Sequence, residues 1–504
     1  MIHIFAASKS NESTWSALLM AVASALLLFV LFRSAWLCDD AYINFRVIDN
    51  FWNGYGLRWN IDERVQVYTS PLWLLILLIL SPLFTSVYWL GIVTSLVLSI
   101  SAVYITAKKY LNFNIYQSIV FLFALSVSSF FIDFATSGLE QPIAYLLFGL
   151  FLAELSNETI SGKKLGILSG LLILTRMDYL LIVLPTLIFH FFSLRDKKQQ
   201  LKLIIYLIFF PLLWGLFGLF YYGFALPNTF FAKIASTASL YDKLSQSFVY
   251  FSTSILASPI IFILWITSCF LGMSLKKERY IIVGIFIYIL YIASVGGDYM
   301  VGRFLAAPTF LLIAILTKKL PKETNSFTCL TVGILLLCGQ SLNARSLFLE
   351  PQSDRNVPIS GIIDEKFFDY QMSGLMLWST TTSHEFHYNS KVGISYQNQP
   401  VKIDGAIGRV GYFAGPRCHI IDPMGIGDAF LSRLEPASKD ARVGHLRRDI
   451  PNKYLESVFY KKNLLENPTE HALLNDIFII TRAPLFAWER WMAIARVQLA
   501  LVKN

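Results

Sequence analysis

Two adjacent carboxylates, Asp39 and Asp40, follow directly on the first long apolar run, within Cys38-Asp39-Asp40-Ala41-Tyr42-Ile43-Asn44-Phe45-Arg46. A charge at the centre of a bilayer helix costs about 2.5–3.5 kcal/mol, so acids at the mouth of such a helix need a task or a partner. Residue type leaves three readings open. Asp is a good helix N-cap, its oxygens suit a hard divalent cation, and two carboxylates in contact raise at least one pKa, which suits a general base. Neighbours on a helix diverge by about 100°, so the two would hold different roles.

Other polar motifs cut apolar runs further along. They are Ser137-Gly138-Leu139-Glu140, Thr175-Arg176-Met177-Asp178, Pro227-Asn228-Thr229 with Lys233, and Gly296-Gly297-Asp298 with Arg303. On charge alone, Arg176, Lys233 and Arg303 are candidates for gripping a phosphate, for which the guanidinium fork is well shaped. The plainer readings are a structural salt bridge for Arg176 and Asp178 and a lipid-headgroup contact for Lys233. Glu140 and Asp298 either pair with these cations or line a pocket. Tyr42, Trp52, Tyr55, Trp59, Tyr68 and Trp73 give the loop 38–70 rings that suit the headgroup level and equally suit stacking on a sugar. The substrate-binding candidates are therefore Tyr42, Arg46, Tyr68, Glu140, Arg176, Asp178, Asn228, Lys233, Asp298 and Arg303. A divalent cation at the aspartates stays open, and no other cofactor is indicated. Histidines are too scattered for a His-based metal site or triad, and there is no P-loop, GxSxG or dinucleotide fingerprint. An activated lipid fits better than a nucleotide as the source of any transferred group.

The elements that must hold these residues are membrane helices. Of 504 residues, 55% are hydrophobic and 15% charged, against about 25% charged in soluble domains. Several runs reach the roughly 20 residues that cross a bilayer. The first, 15–37, is too long for a signal-peptide core and lacks a cleavage site, so it reads as retained. The net charge of +9 does not point to nucleic acid, because Lys and Arg fall in short clusters between apolar runs, where they set orientation. With Lys108-Lys109, Lys163-Lys164, Arg195 to Lys198, Lys276 to Arg279 and Lys318-Lys319 all cytoplasmic, the runs between clusters cross in pairs. Every polar motif above then lands on the outer face. The runs are about 115–134, 139–155, two short ones within 165–194, 201–225, 246–272, 279–295, 302–317 and 325–341. The segment 70–107 reads as one crossing plus an interfacial or re-entrant piece, for about eleven transmembrane helices in all. Residues 1–341 thus form a transmembrane module with its first outer loop at 38–70. Residues 342–504 form a C-terminal soluble α/β domain, with short strands and turns from Val401-Lys402-Ile403-Asp404-Gly405 through Ile420-Ile421-Asp422 and a helix over 487–502.

The ordered motifs resemble a group of membrane glycosyltransferases. Asp39-Asp40-Ala41-Tyr42-Ile43, Gly54-Tyr55-Gly56-Leu57, Glu63-Arg64-Val65 and Tyr68-Thr69-Ser70-Pro71-Leu72-Trp73 look like polyprenyl-phosphate-arabinose-dependent arabinofuranosyltransferases of the C-type superfamily. That group includes mycobacterial arabinan-capping enzymes and a pilin arabinosyltransferase. The four motifs of the later interruptions also match, as do Asp404-Gly405-Ala406-Ile407-Gly408-Arg409-Val410-Gly411-Tyr412, Asp422-Pro423-Met424-Gly425-Ile426-Gly427-Asp428 and Gly444-His445. The resemblance implies a C-type helical bundle with a periplasmic active site, a periplasmic C-terminal domain, and an acidic residue of the first outer loop as catalytic base. Carried over, Asp39 and Asp40 are the catalytic pair. Gln66-Val67 stands where the group has Glu-Gly, a departure that bears on sugar and acceptor choice.

The expected function is transfer of a pentofuranose, D-arabinofuranose by resemblance, from polyprenyl phosphate to a cell-envelope glycan or glycoprotein. The expected setting is the periplasmic side of a bacterial inner membrane, with the lipid bilayer as the other partner and no nucleic acid. The rivals are a hexose transferase using polyprenyl-phosphate mannose or glucose, a lipid-linked-sugar transporter, and a non-catalytic glycan-binding assembly protein.

Overall fold

The computed structural model describes residues 2–234, 239–323, 325–339, 361–377, 388–438 and 446–503. The Gly444-His445 motif and the expected domain boundary at 341/342 lie outside them.

Among the described residues, three helices are long and apolar enough to cross a membrane: Glu12–Arg33, Val87–Tyr110 and Lys197–Tyr222. The run 70–107 resolves into the shorter apolar helix Pro71–Leu80, a tight turn Ser81–Leu83, and the long helix that begins at Val87. The run 246–272, expected as one crossing, holds a pair of helices, Leu240–Ala257 and Pro259–Gly272, bent by 103°. Pro259 has no N–H to continue the first helix, and it holds Ser258 out of the helical region at φ −149° and ψ 68°. Other apolar runs appear as helices of 10–17 residues, among them Ile115–Ser126, Gln141–Ser156, Tyr179–Ser193 and Arg279–Val295.

The chain divides into two compact units, each drawn from three segments. The first comprises 1–37, 88–209 and 244–380; the second comprises 38–87, 210–243 and 381–504. At the heart of the first lies the helix Ala306–Lys319, buried on all sides from Ala306 to Thr317, as a helix apolar around its whole circumference must be. Phe310 from this helix lies 5.9 Å from Phe131 and 5.3 Å from Tyr145, ring to ring. Residues 361–377 belong to the same unit. Ile363 bridges Met300 in parallel, the Leu375 amide donates to the Ala35 carbonyl at 2.8 Å, and Lys366 Nζ meets Asp133 Oδ1 at 2.8 Å with both side chains buried.

The second unit gathers the loop 38–70 with the C-terminal segment. Its strands β1, Val401–Ile403, and β2, His419–Ile421, pair in parallel, Val401 opposite His419. A parallel pair needs a crossover, and the helix Arg409–Ala414 is part of it. That helix packs on Ala41–Trp52, with the Tyr42 and Tyr412 rings 5.6 Å apart, edge to face. The strands fall within the stretch expected to hold short strands and turns, and the helix expected over 487–502 is Trp488–Lys503.

Removing one partner of a buried ion pair costs about 3–5 kcal/mol, whereas replacing both with apolar groups costs little. Lys366→Met should therefore lower the melting temperature in detergent markedly, and adding Asp133→Leu should recover most of the loss. Thermal unfolding of the single and double variants checks this.

Candidate active site

In the second unit, the Asp39 carboxylate is oriented by a motif nearly 370 residues away in sequence. Its Oδ1 accepts from the Arg409 amide at 3.2 Å and from Asn389 Nδ2 at 3.1 Å. The Arg409 amide opens the helix Arg409–Ala414, whose first N–H groups have no acceptor within the helix, and Asp39 supplies one from outside. Contact is close enough to require glycine at 408, where a Cβ would lie 2.2 Å from both the carbonyl oxygen and Oδ2 of Asp39. Asp40 stands at the N-cap position of Ala41–Trp52 in helical conformation, and its side chain makes no capping hydrogen bond. The capping reading therefore does not describe Asp40. Both aspartates are half-buried.

Arg46, six residues on from Asp40, is fully buried. Its Nε donates to the Trp59 carbonyl (2.7 Å), Nη1 to that of Gly411 (2.5 Å), and Nη2 to that of Cys418 (2.8 Å) and to Asn60 Oδ1 (3.3 Å). Its guanidinium lies 4.4 Å from the centre of the Trp59 ring. Burial brings its pKa down to about 10. Tyr42 is buried beneath the Arg409 guanidinium at 4.3 Å. Tyr68 is buried, its hydroxyl 2.6 Å from that of Tyr222. Trp59 and Trp73 are core residues as well, whereas Phe51, Trp52 and Tyr55 are exposed.

Asn228 acts as a clip. Its Nδ2 donates to the carbonyls of Gly425, Ile426 and Asp428 (2.7, 3.0 and 3.1 Å), and its Oδ1 accepts from Ser432 and Arg433. Its own amide donates to the Gln66 carbonyl at 2.8 Å. Two motifs distant in sequence are thus tied to the outer loop at the point where this chain departs from the group. Lys233, on the short helix Asn228–Ile234, is exposed.

One cluster of the second unit was not read from the chain. His419 Nδ1 sits 2.9 Å from Asp62 Oδ1, and its Nε2 lies 3.3 Å from Asn60 Nδ2 and 3.9 Å from Glu63 Oε1. Burial would lower His419, but Asp62 and Glu63 hold it above its ordinary value. Burial would raise Asp62, yet His419 keeps it well below the usual carboxylate range. Burial pushes Glu63 up to about 7 against the pull of His419. The only sequence signal was the density of polar groups in Asn60-Ile61-Asp62-Glu63. Among the described residues, no three His, Cys, Asp or Glu side chains are grouped to hold a metal ion.

The first unit brings together five of the remaining candidates. The helix Gly162–Thr175 ends at Arg176, which is extended at φ −153° and ψ 126°, and Tyr179–Ser193 starts just beyond Asp178. Arg176 grips Asp178 with Nε and Nη2 (3.0 and 2.6 Å) and Glu140 with Nη1 (3.0 Å). It thereby uses three of its five N–H donors. Arg303 takes Asp298 in the same two-pronged way (2.5 and 2.9 Å). Both guanidiniums lie against the Phe304 ring, at 4.4 and 5.2 Å from its centre. Gly297 (φ +80°) admits this turn, since a Cβ there would meet Tyr250 at 2.7 Å. The salt-bridge reading of Arg176 is thus realised, with donors to spare.

Fold and sites together describe a largely helical protein with membrane-length apolar helices and two carboxylate-rich polar centres. The chain is 25% identical over 409 residues to the terminal beta-(1->2)-arabinofuranosyltransferase of Mycobacterium tuberculosis, covering 67% of this chain and 63% of that protein. It is 26% identical over 327 residues to the protein of the same name in Corynebacterium glutamicum, covering 55% of this chain and 47% of that one. The chain therefore spans less than two thirds of the length of either relative. These similarities agree with the resemblance read from the motifs. No family profile matches the chain, and no solved structure matches it.

The raised Glu63 carboxyl has a consequence for stability. Its pKa moves from 4.5 to about 7 on folding. Between those values the unfolded chain has already lost a proton that the folded chain keeps, so stability falls as pH rises across that window. Raised His419 acts in the same direction above 6.5, whereas lowered Asp62 destabilises only as pH falls below 3.8. The protein should melt at a lower temperature at about pH 8 than at about pH 5.5. In Glu63→Gln the difference should shrink but persist, because His419 and the raised, buried Asp422 and Asp428 act in the same direction, as measured by thermal unfolding across pH.

Proposed function

We propose that the chain is a membrane glycosyltransferase that moves an arabinofuranosyl residue from a polyprenyl-phosphate donor to an extracytoplasmic glycan or glycoprotein. In this reading it is a multi-pass protein of a bacterial inner membrane with about eleven spans. Its active site and C-terminal α/β domain face the periplasm. The names of the two relatives support the reaction class and the sugar. The observation that carries the base assignment is the Asp39 carboxylate, half-buried and oriented through Oδ1 by Asn389 and the Arg409 amide.

In the proposed step, a carboxylate oxygen of Asp39 or Asp40 accepts the proton of the acceptor hydroxyl as the hydroxyl oxygen bonds to the anomeric carbon. The bond from the anomeric carbon to the donor phosphate breaks, and its electron pair leaves on polyprenyl phosphate. We assign Lys233 to the charge on that phosphate and, in the first unit, Arg176 and Arg303 to binding an anionic group. Glu140, Asp178 and Asp298 orient the two arginines. Arg46, Tyr42, Tyr68 and Asn228 act as positioning residues for the outer loop.

Purified protein supplied with polyprenyl-phosphoryl arabinose and candidate acceptors tests the proposal. Removing a general base lowers turnover about 10²–10⁴-fold, so Asp39→Asn or Asp40→Asn should lose that much in kcat with the protein still folded. Undiminished transfer in the double variant would rule out the aspartate pair as base. Competition with polyprenyl-phosphoryl mannose or glucose separates the sugars. Label transferred from the hexose donors in preference would replace arabinose in the proposal.

A further inference from the structure

We propose that the C-terminal helix Trp488–Lys503 is a membrane-surface element, with one face seated in the lipid where the helix Lys197–Tyr222 ends. The inference rests on reading Lys197–Tyr222 as a membrane span, which its 26 residues and sparse burial support.

The helix Trp488–Lys503 has two apolar faces. Ala493, Ile494 and Val497 are buried inward with Arg490. On the other side Trp488, Met492 and Leu499 are 76%, 43% and 63% exposed, and Phe486, just before the helix, is 84% exposed. Positions 488, 492, 495 and 499 recur at helical spacing, so the exposed residues form a stripe and not a scatter. A second apolar stripe, exposed among the described residues, marks a surface with a partner.

Continuity identifies that partner. On the span, Leu213, Leu216 and Phe220 follow one another at helical spacing, and Leu213 and Leu216 are more than half exposed, as lipid-facing positions would be. Phe220, at the end of this stripe, meets Phe486 edge to face at 5.5 Å and Trp491 at 6.3 Å. The stripe of the span therefore runs on into the aromatic residues that open the C-terminal helix. The joint is rigid. The Tyr221 carbonyl, in the last turn of the span, accepts from Arg490 Nη2 and from Arg64 Nε, both at 3.1 Å. Arg490 Nε also donates to the Ile480 carbonyl, which bolts the corner before Trp488 to the span. Gly223 (φ +87°) turns the chain away where any Cβ would strike Ile480. Tryptophan and phenylalanine held at the end of a span suit the headgroup boundary, where an amphipathic helix lies in the plane of the membrane.

Site-directed nitroxide labelling of the full chain in phosphatidylcholine nanodiscs tests this. Labels at Trp488→Cys, Met492→Cys and Glu489→Cys are compared in a Cys269→Ser/Cys338→Ser background, with Leu213→Cys on the span as reference. Expected is collision with oxygen exceeding that with a water-soluble nickel chelate at 488 and 492, and the reverse at 489. Predominant nickel access at 488 and 492 would overturn the proposal by placing the face in water. Low access to both probes would overturn it by placing the face against protein. In either case lipid-like access at 213 leaves the span reading intact, whereas water-like access at 213 shows that the span reading itself has failed.

Discussion

The guanidinium of Arg46 organises the second unit. A buried charge is costly unless its hydrogen-bonding capacity is met, and here it is met by four oxygens from distant parts of the chain: Trp59, Asn60, Gly411 and Cys418. None of these is a carboxylate. The charge is dispersed into carbonyl dipoles and onto the Trp59 ring, and burial lowers its pKa without removing the charge. The same ring lies within van der Waals reach of Gly411 and Gly427. The orientation of Asp39 depends on this arrangement, because the helix Arg409–Ala414 that engages Asp39 also carries Gly411.

The first unit handles charge differently. Arg176 and Arg303 are each held by a carboxylate in a two-pronged grip and share the face of Phe304. Such pairs fix guanidinium orientation, with three N–H groups of Arg176 engaged by Asp178 and Glu140. Asp62, Glu63 and His419 form a third arrangement, in which the imidazole is held up by a half-buried and a buried acid and lowers Asp62 in turn. Three solutions to the cost of buried charge thus coexist in one chain, and the first two fall at motifs that the sequence already marked as unusual.

Much of this was legible beforehand. Apolar runs gave the long helices, because burial and hydrogen-bond satisfaction in lipid leave few other conformations. The strands at 401–403 and 419–421 and the terminal helix were readable from their patterns. The bend at Ser258-Pro259 was not read, although Pro259 carries the signal. Tyr42, Trp59, Tyr68 and Trp73 are core residues, and a ring's chemistry cannot tell a buried position from a headgroup one.

Read alone, the chain established composition, the apolar helices, the ordered polar motifs and their resemblance to arabinofuranosyltransferases, because these depend on residue type and local spacing. Folding decided the pairings. That Asn228 clips Gly425, Ile426 and Asp428, that His419 faces Asp62, and that Asp39 receives the Arg409 amide are contacts between segments hundreds of residues apart. Sequence spacing carries no record of such contacts. They exist only once buried donors and acceptors have had to find one another in a packed interior.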